Sequence, residues 1–163
     1  MRLNLREIIE VPGGSVPFEC ELGTEMLWFP SVKGYDEPPY AEGRVYNEAG
    51  VLNLSGSITA DMQCICDRCG AEFQSRKITD VSVTIVEEDD GSDPFRFPLD
   101  GDEIDLDEIL STCFVLDMET KFLCTEDCKG LCPTCGRNLN LGPCGCRKQL
   151  DPRFAVLEQL LDK

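Results

Sequence analysis

The clearest pattern along the chain is an alternation over residues 52–64. Apolar side chains take the even positions (Leu52, Leu54, Ile58, Ala60, Met62, Cys64), and polar ones the odd (Asn53, Ser55, Ser57, Thr59, Asp61, Gln63). A two-residue period of this length predicts a strand in an antiparallel sheet, buried on one face and wet on the other. A second strand is predicted over 78–86, with Val81, Val83 and Ile85 pointing inward. Between them lies Cys66-Asp67-Arg68-Cys69-Gly70, so a cysteine pair sits where the chain must reverse. Tyr46-Asn47-Glu48-Ala49-Gly50 predicts another turn, with Val45 closing an earlier strand. The first 40 residues, broken by Pro12-Gly13-Gly14 and Pro38-Pro39, predict short strands and loops.

Residues 87–101 mix Glu87-Glu88-Asp89-Asp90 with Gly, Ser and Pro. Clustered like charges oppose compact packing, so this stretch predicts a solvated loop. A helix then starts at Asp105, whose side chain can cap it while Glu108 completes a box-like pair. Leu106, Ile109, Leu110 and Cys113 have the helical spacing that faces a sheet. Asp151-Pro152 predicts the opening of a final helix, with Phe154, Leu157, Leu160 and Leu161 as its apolar side. No internal repeat stands out. The expectation is an α+β fold: an antiparallel β-sheet core with a packed helix over residues 1–119, then a cysteine-rich zinc-knuckle tail over 120–163 that carries the short terminal helix.

Charge sharpens this division. The 163 residues carry a net charge of −16, with 42% hydrophobic residues, enough for a core. Residues 1–79 net −5, residues 80–119 net −13 and residues 120–163 net +2. Such acidity argues against coating nucleic acid or anionic membrane with the whole surface. No apolar run is long enough to span a bilayer, and the first residues lack a signal-peptide core. A soluble, cytoplasmic protein without membrane contact is expected.

The chain has eleven Cys and no His. Ser-His-Asp and Cys-His nucleophiles are therefore excluded, as are His-ligated metals. Neither common glycine-rich phosphate cradle is present, and no small-molecule substrate is evident. In a reducing cytosol, closely spaced cysteines indicate metal ligands or redox pairs rather than disulfides.

Six cysteines fall in one run: Cys124, Cys128, Cys132, Cys135, Cys144 and Cys146. Cys132-Pro133-Thr134-Cys135-Gly136 lets two thiolates converge on a tetrahedral ion, and Cys144-Gly145-Cys146 offers a second pair. Cys132, Cys135, Cys144 and Cys146 are the first-choice ligands of one structural zinc. Cys66, Cys69, Cys124 and Cys128 form a candidate second site that would staple the tail to the sheet. Alternatively, Cys124 and Cys128 substitute as ligands at the tail's single site. Cys128-x3-Cys132-x2-Cys135 has radical-SAM spacing, but too little chain follows for the barrel such a cluster needs. A thioredoxin-like pair would need a βαβ setting that Gly136-Arg137-Asn138 does not supply. Cys64 belongs to the strand's apolar face, and Cys20 and Cys113 are simplest as core or surface thiols.

Lys129, Arg137, Arg147, Lys148 and Arg153 make the tail a candidate basic patch, reduced by the roughly −2 of a zinc with four thiolates. Arg68, at the hairpin tip, joins Lys129, Arg137 and Arg147 as a candidate partner contact, with the acidic middle block turned away. Residues 124–146 hold few large apolar side chains, so metal binding should contribute to their folding.

Several motifs occur together: Cys66-Asp67-Arg68-Cys69 after an alternating strand, the Asp105-Leu106-x-Glu108 helix start, and Asp151-Pro152-Arg153 before a short helix. With Cys128-Lys129-Gly130-Leu131-Cys132-Pro133-x-Cys135-Gly136-x-Asn138-Leu139-Asn140, the chain resembles the bacterial YceD family over roughly residues 40–160. The resemblance implies a role in the synthesis, processing or accumulation of large-subunit ribosomal RNA, without a known catalytic residue. Other members of that family lack most of the tail cysteines, which implies a structural metal. Cys66, Arg68 and Cys69 carry over as the shared feature. The expected function is thus a non-enzymatic, zinc-stabilised factor whose partner is large-subunit ribosomal RNA or a ribosome-assembly protein. The alternatives are a thiol-redox or nuclease-type enzyme using Cys66 and Cys69, and a zinc-dependent protein-interaction adaptor.

Overall fold

The computed structural model describes residues 1–88, 91 and 93–146. Its strands are β1 (Arg2–Asn4), β2 (Ser15–Glu21), β3 (Val32–Tyr35), β4 (Tyr40–Glu48), β5 (Val51–Ile65), β6 (Glu72–Val86), β7 (Arg96–Pro98) and β8 (Glu103–Asp105). One α-helix, α1 (Leu106–Leu116), follows β8 directly. The described residues therefore form an antiparallel-rich α+β fold.

The frame is the β5–β6 hairpin, antiparallel from Leu52↔Ile85 at its base to Ile65↔Glu72 near its tip. On its other edge β5 has two partners in succession: β4 along its first half, and β3 opposite Met62, Gln63 and Cys64. β2 pairs outside β4, and β7 lies parallel to β6 at Thr84, Ile85 and Val86. β1 and β8 form a separate two-stranded ribbon.

The alternation in residues 52–64 is reproduced in the fold: Leu52, Leu54, Ile58, Ala60, Met62 and Cys64 are all buried. The one gap in that apolar row is Gly56, which sits opposite Gly43 of β4. A Cβ on either glycine would come within 2.4 Å of a carbonyl oxygen of the facing strand, and one on Gly43 would meet the Phe18 ring at 2.8 Å. Glycine is needed here because the two backbones approach so closely.

Helix α1 starts where its cap predicts, with the Asp105 carboxylate accepting from the Asp107 amide at 3.1 Å. Leu106, Ile109, Leu110 and Cys113 are buried as expected, together with Phe114. The Phe114 ring meets Phe29 edge-on, with centroids 6.3 Å apart.

Three expectations differ from the fold. β4 runs to Glu48 rather than closing at Val45, so the predicted turn shrinks to Ala49-Gly50. β6 begins at Glu72 rather than at residue 78, and Ile78 is exposed. Its first half carries Gln74 and Arg76 on one face and Ser75 and Lys77 on the other, so no apolar period marks it. Cross-strand polar pairs take that role, including the two 2.7 Å bonds from Arg76 to Asp61. The predicted 87–101 loop also contains β7, because the Phe97 side chain is buried against the core. The predicted helix at Asp151-Pro152, with Phe154, Leu157, Leu160 and Leu161, lies outside the described residues. Asp89, Asp90, Arg147, Lys148 and Arg153 lie outside them too. Among the described residues no helix is long and apolar enough to cross a membrane.

Candidate metal centre

After α1 the chain returns along the sheet to the hairpin tip, with the Phe122 side chain buried in the main core. There it meets the turn between β5 and β6. Cys66, Cys69, Cys124 and Cys128 form one group whose sulfurs all lie within 4.8 Å of one another. Cys132, Cys135, Cys144 and Cys146 form a second group that meets the same limit. Each group could hold a metal ion. We term them the tip site and the tail site.

In the tip site Cys66 Sγ lies 3.7 Å from Cys128 Sγ, and Cys69 Sγ lies 3.7 Å from Cys124 Sγ. Four sulfurs about 2.3 Å from a common tetrahedral ion would be separated by about 3.8 Å, so these contacts have the length the coordination requires. Cys66, Cys69 and Cys128 are buried, and Cys124 is half-buried. The tail site is more open: Cys132 is buried, Cys144 half-buried, and Cys135 and Cys146 exposed.

The two sites are built from the same turn. In Cys66-Asp67-Arg68-Cys69-Gly70 the Gly70 amide donates to the Cys66 carbonyl at 2.8 Å, and the Cys66 amide donates to Ala71. In Cys132-Pro133-Thr134-Cys135-Gly136 the Gly136 amide donates to the Cys132 carbonyl at 2.8 Å, and the Cys132 amide donates to Arg137. Gly70 and Gly136 have φ of 69° and 71°, a left-handed conformation that glycine adopts without strain. The two Cys-x-x-Cys-Gly strings are a short structural repeat that the hydrophobic pattern of the chain does not reveal.

Backbone amides polarise the first sulfur of each turn. Burial pushes the Cys66 thiol up, but the amides of Cys124, Cys69 and Arg68 outweigh it and bring it down to about 6. The amides of Cys135 and Thr134 lead the same effect at Cys132, which also falls to about 6. Cys128 is drawn down as well, chiefly by the Asn140 side chain, whereas Cys124 and Cys146 move the other way. Burial, and then the neighbouring sulfurs, push Cys124 to about 12, while Cys135 and burial push Cys146 to about 12. Four thiolates this close repel one another, and a bound dication would let all four ionise together.

All four residues of Cys66-Asp67-Arg68-Cys69 engage the returning tail. The Asp67 carboxylate accepts from the Phe122 amide at 2.6 Å, and the Asp67 amide donates to the Phe122 carbonyl at 2.8 Å. Ser31 Oγ donates to the other Asp67 oxygen at 2.5 Å. These bonds hold the Asp67 carboxyl below its ordinary range, Ser31 foremost. Arg68 Nη1 donates to the Cys128 carbonyl at 3.1 Å. Arg68 is exposed, yet its guanidinium is aimed at this chain's own backbone, a role that sequence spacing gave no means to see. Lys129 and Arg137 are exposed on the tail, close in sequence to exposed Glu126 and Asp127. Leu141 there is 81% exposed.

The described structure is thus a β-sheet body whose hairpin tip and C-terminal tail carry two four-cysteine clusters. The sequence profile of the YceD family, described as "Large ribosomal RNA subunit accumulation protein YceD", matches residues 54–161, and the chain belongs to that family. It is 24% identical over 166 residues to the chloroplastic "Large ribosomal RNA subunit accumulation protein YCED homolog 1" of Arabidopsis thaliana, covering 81% of this chain and 52% of that protein. Its identity to the protein of the same name from Zea mays is 37% over 59 residues, 36% of this chain and 20% of that protein. An uncharacterised protein of Mycobacterium tuberculosis is 29% identical over 120 residues, covering 69% of this chain and 56% of the relative. The chain spans about half the length of the Arabidopsis and mycobacterial relatives. No solved structure matches it.

Proposed function

We propose that this protein is a non-enzymatic, zinc-stabilised factor acting in the accumulation of large-subunit ribosomal RNA, in the cytoplasm. Membership of the YceD family carries the reading. The donor sets support zinc: eight thiolates in two four-sulfur groups, with no His, suit closed tetrahedral structural sites. Cys66 and Cys69, the pair a thiol enzyme would use, each face a cysteine of the returning tail at 3.7 Å. Their placement supports a clamp between two parts of the chain. The division at residue 119 takes on a specific meaning in this reading, because the tip site draws two ligands from each side of it.

The contact surface we assign is the outer face of the tail, where Lys129, Arg137, Leu131 and Leu141 are exposed. Mixed apolar and charged character, on a chain of net charge −16, favours a ribosome-assembly protein as the direct partner over a bare phosphate backbone. Zinc-dependent adaptor behaviour is then the means by which the chain reaches ribosomal RNA. Capture from cell extract with and without ribonuclease distinguishes the two contacts, since a protein partner survives the nuclease. Lys129→Glu with Arg137→Glu should lower large-subunit ribosomal RNA in cells while leaving metal content and melting temperature unchanged. Normal ribosomal RNA with an unchanged capture profile would place the functional surface elsewhere.

A further inference from the structure

The segment between the tail site's two ligand pairs folds back onto the tip site. Asn140, which lies between Cys135 and Cys144, donates from Nδ2 to Cys128 Sγ at 3.3 Å. Its Oδ1 accepts from the Lys129 amide at 2.7 Å, and its own amide donates to Asn138 Oδ1 at 2.9 Å. Three backbone contacts close the same zipper: the Leu139 amide to the Gly130 carbonyl at 2.9 Å, the Cys132 amide to the Arg137 carbonyl at 2.8 Å, and the Leu131↔Asn138 bridge. Beneath it, a Cβ on Gly130 would lie 3.0 Å from the Arg68 carbonyl oxygen, so this stretch rests directly on the hairpin tip. A thiolate ligand of one centre thus receives its side-chain N–H from a loop whose two ends are ligands of the other.

We propose that Asn140 is a positioning residue that couples the two metal centres, so that an ion in the tail site tightens the hold of the tip site on its own ion. This rests on the zinc reading above. Outer hydrogen bonds to a ligating atom fix its orientation and tune its donor strength, and losing one typically costs 10-fold to 100-fold in metal affinity. The loop 136–143 is short of apolar anchors and is closed by the convergence of Cys132, Cys135, Cys144 and Cys146, so the tail-site ion sets how firmly Asn140 is presented. By linkage the effect is reciprocal: a filled tip site must strengthen the tail site by the same factor.

The test is zinc release from the full chain to excess chromophoric chelator, followed with the ion count per chain. The wild type should release two ions, a fast one from the exposed tail site and a slow one from the buried tip site. Cys135→Ser should remove the fast phase and speed the slow one. Asn140→Ala should speed the slow phase about 10-fold to 100-fold, with two ions still bound and the far-ultraviolet circular dichroism unchanged. Asn140→Asp keeps the acceptor for the Lys129 amide but has no N–H for the sulfur, so it should release as fast as Asn140→Ala. A slow phase altered less than twofold by Asn140→Ala, or restored to the wild-type rate by Asn140→Asp, would overturn the coupling while leaving the zinc reading intact. A single ion in the wild-type chain would overturn the coupling alone, and no ion would overturn the zinc reading and the coupling with it.

Discussion

Phe122 is the apolar anchor that brings the tail to the hairpin tip, and Phe122→Ala probes what that anchor contributes. Its ring is 8% exposed and belongs to the main core, two residues before the ligand Cys124. Truncating a buried Phe to Ala costs about 3–5 kcal/mol in lost burial and residual cavity. Few other large apolar groups dock this stretch, so most of that loss falls on the equilibrium between docked and undocked tail. In the metal-free protein the tip site is complete only when the tail is docked, and the apparent affinity for the ion scales with the docked fraction. At about 1.4 kcal/mol per factor of ten, the full 3–5 kcal/mol corresponds to about 150-fold to 4,000-fold, so tip-site affinity should fall by roughly two to three orders of magnitude. Phe114→Ala is the control, because Phe114 is fully buried on α1, ten residues before the first tail ligand Cys124. It should lower the urea midpoint comparably while leaving tip-site affinity nearly unchanged. Competition with a chelator of known affinity, beside urea unfolding, measures both. If Phe122→Ala changes tip-site affinity by less than twofold, or no more than Phe114→Ala does, docking through Phe122 does not assemble the site.

Asn47, 2% exposed, donates to the Ile8 and Ile9 carbonyls at 2.9 and 2.7 Å and accepts from the Gly50 amide at 2.8 Å. Asn47→Ala removes all three bonds, leaving the Ile8 carbonyl only the Val11 amide, and should cost about 2–4 kcal/mol in urea unfolding, while exposed Glu48→Ala should cost almost nothing. Alkylation at pH 8 should separate two kinds of thiol. Burial pushes Cys113 to about 11, leaving roughly one molecule in a thousand as thiolate at that pH, so it should stay unlabelled with or without chelator. The eight clustered cysteines should label only after the metal is chelated, and rapid labelling of Cys66 or Cys69 with two ions bound would favour a thiol enzyme.

The face of β5, the start of α1 and the tail's ligand spacing were legible because each is a local pattern. Residues 52–64 alternate, Asp105 precedes a helical stripe, and Cys132 and Cys135 are three positions apart. The first half of β6 was not legible, since Gln74, Ser75, Arg76 and Lys77 form a strand by pairing with β5 rather than by burying an apolar face. β7 was hidden because one buried ring, Phe97, suffices to dock three residues inside an acidic stretch. The tip site was legible only as one of two alternatives, because sequence spacing cannot show which distant cysteine pairs meet. What escaped entirely was the work of Asp67, Arg68 and Asn140. Their partners are backbone groups and a sulfur brought from 12 to 60 residues away, and no spacing encodes such contacts. The recurrence of Cys-x-x-Cys-Gly at residues 66 and 132 was the one available signal that both turns serve the same purpose.

The split origin of the tip site also imposes an order on synthesis. Cys69 and Cys124 are 55 residues apart, whereas the tail site's four ligands lie between residues 132 and 146. A chain made at about 5–20 residues per second leaves the ribosome with Cys69 some 3–11 seconds ahead of Cys124. During that interval the hairpin can form, with two thiols at its end and no partners to complete their coordination. The tail site has no such delay, because its ligands emerge almost together and its loop closes at smaller entropic cost. Capture of an ion by the last-made segment would then draw Asn140 onto Cys128 as the two halves of the clamp meet. A nascent chain stalled between residues 70 and 123 would hold Cys66 and Cys69 as an open bidentate trap, accessible to stray copper or to oxidation into a disulfide.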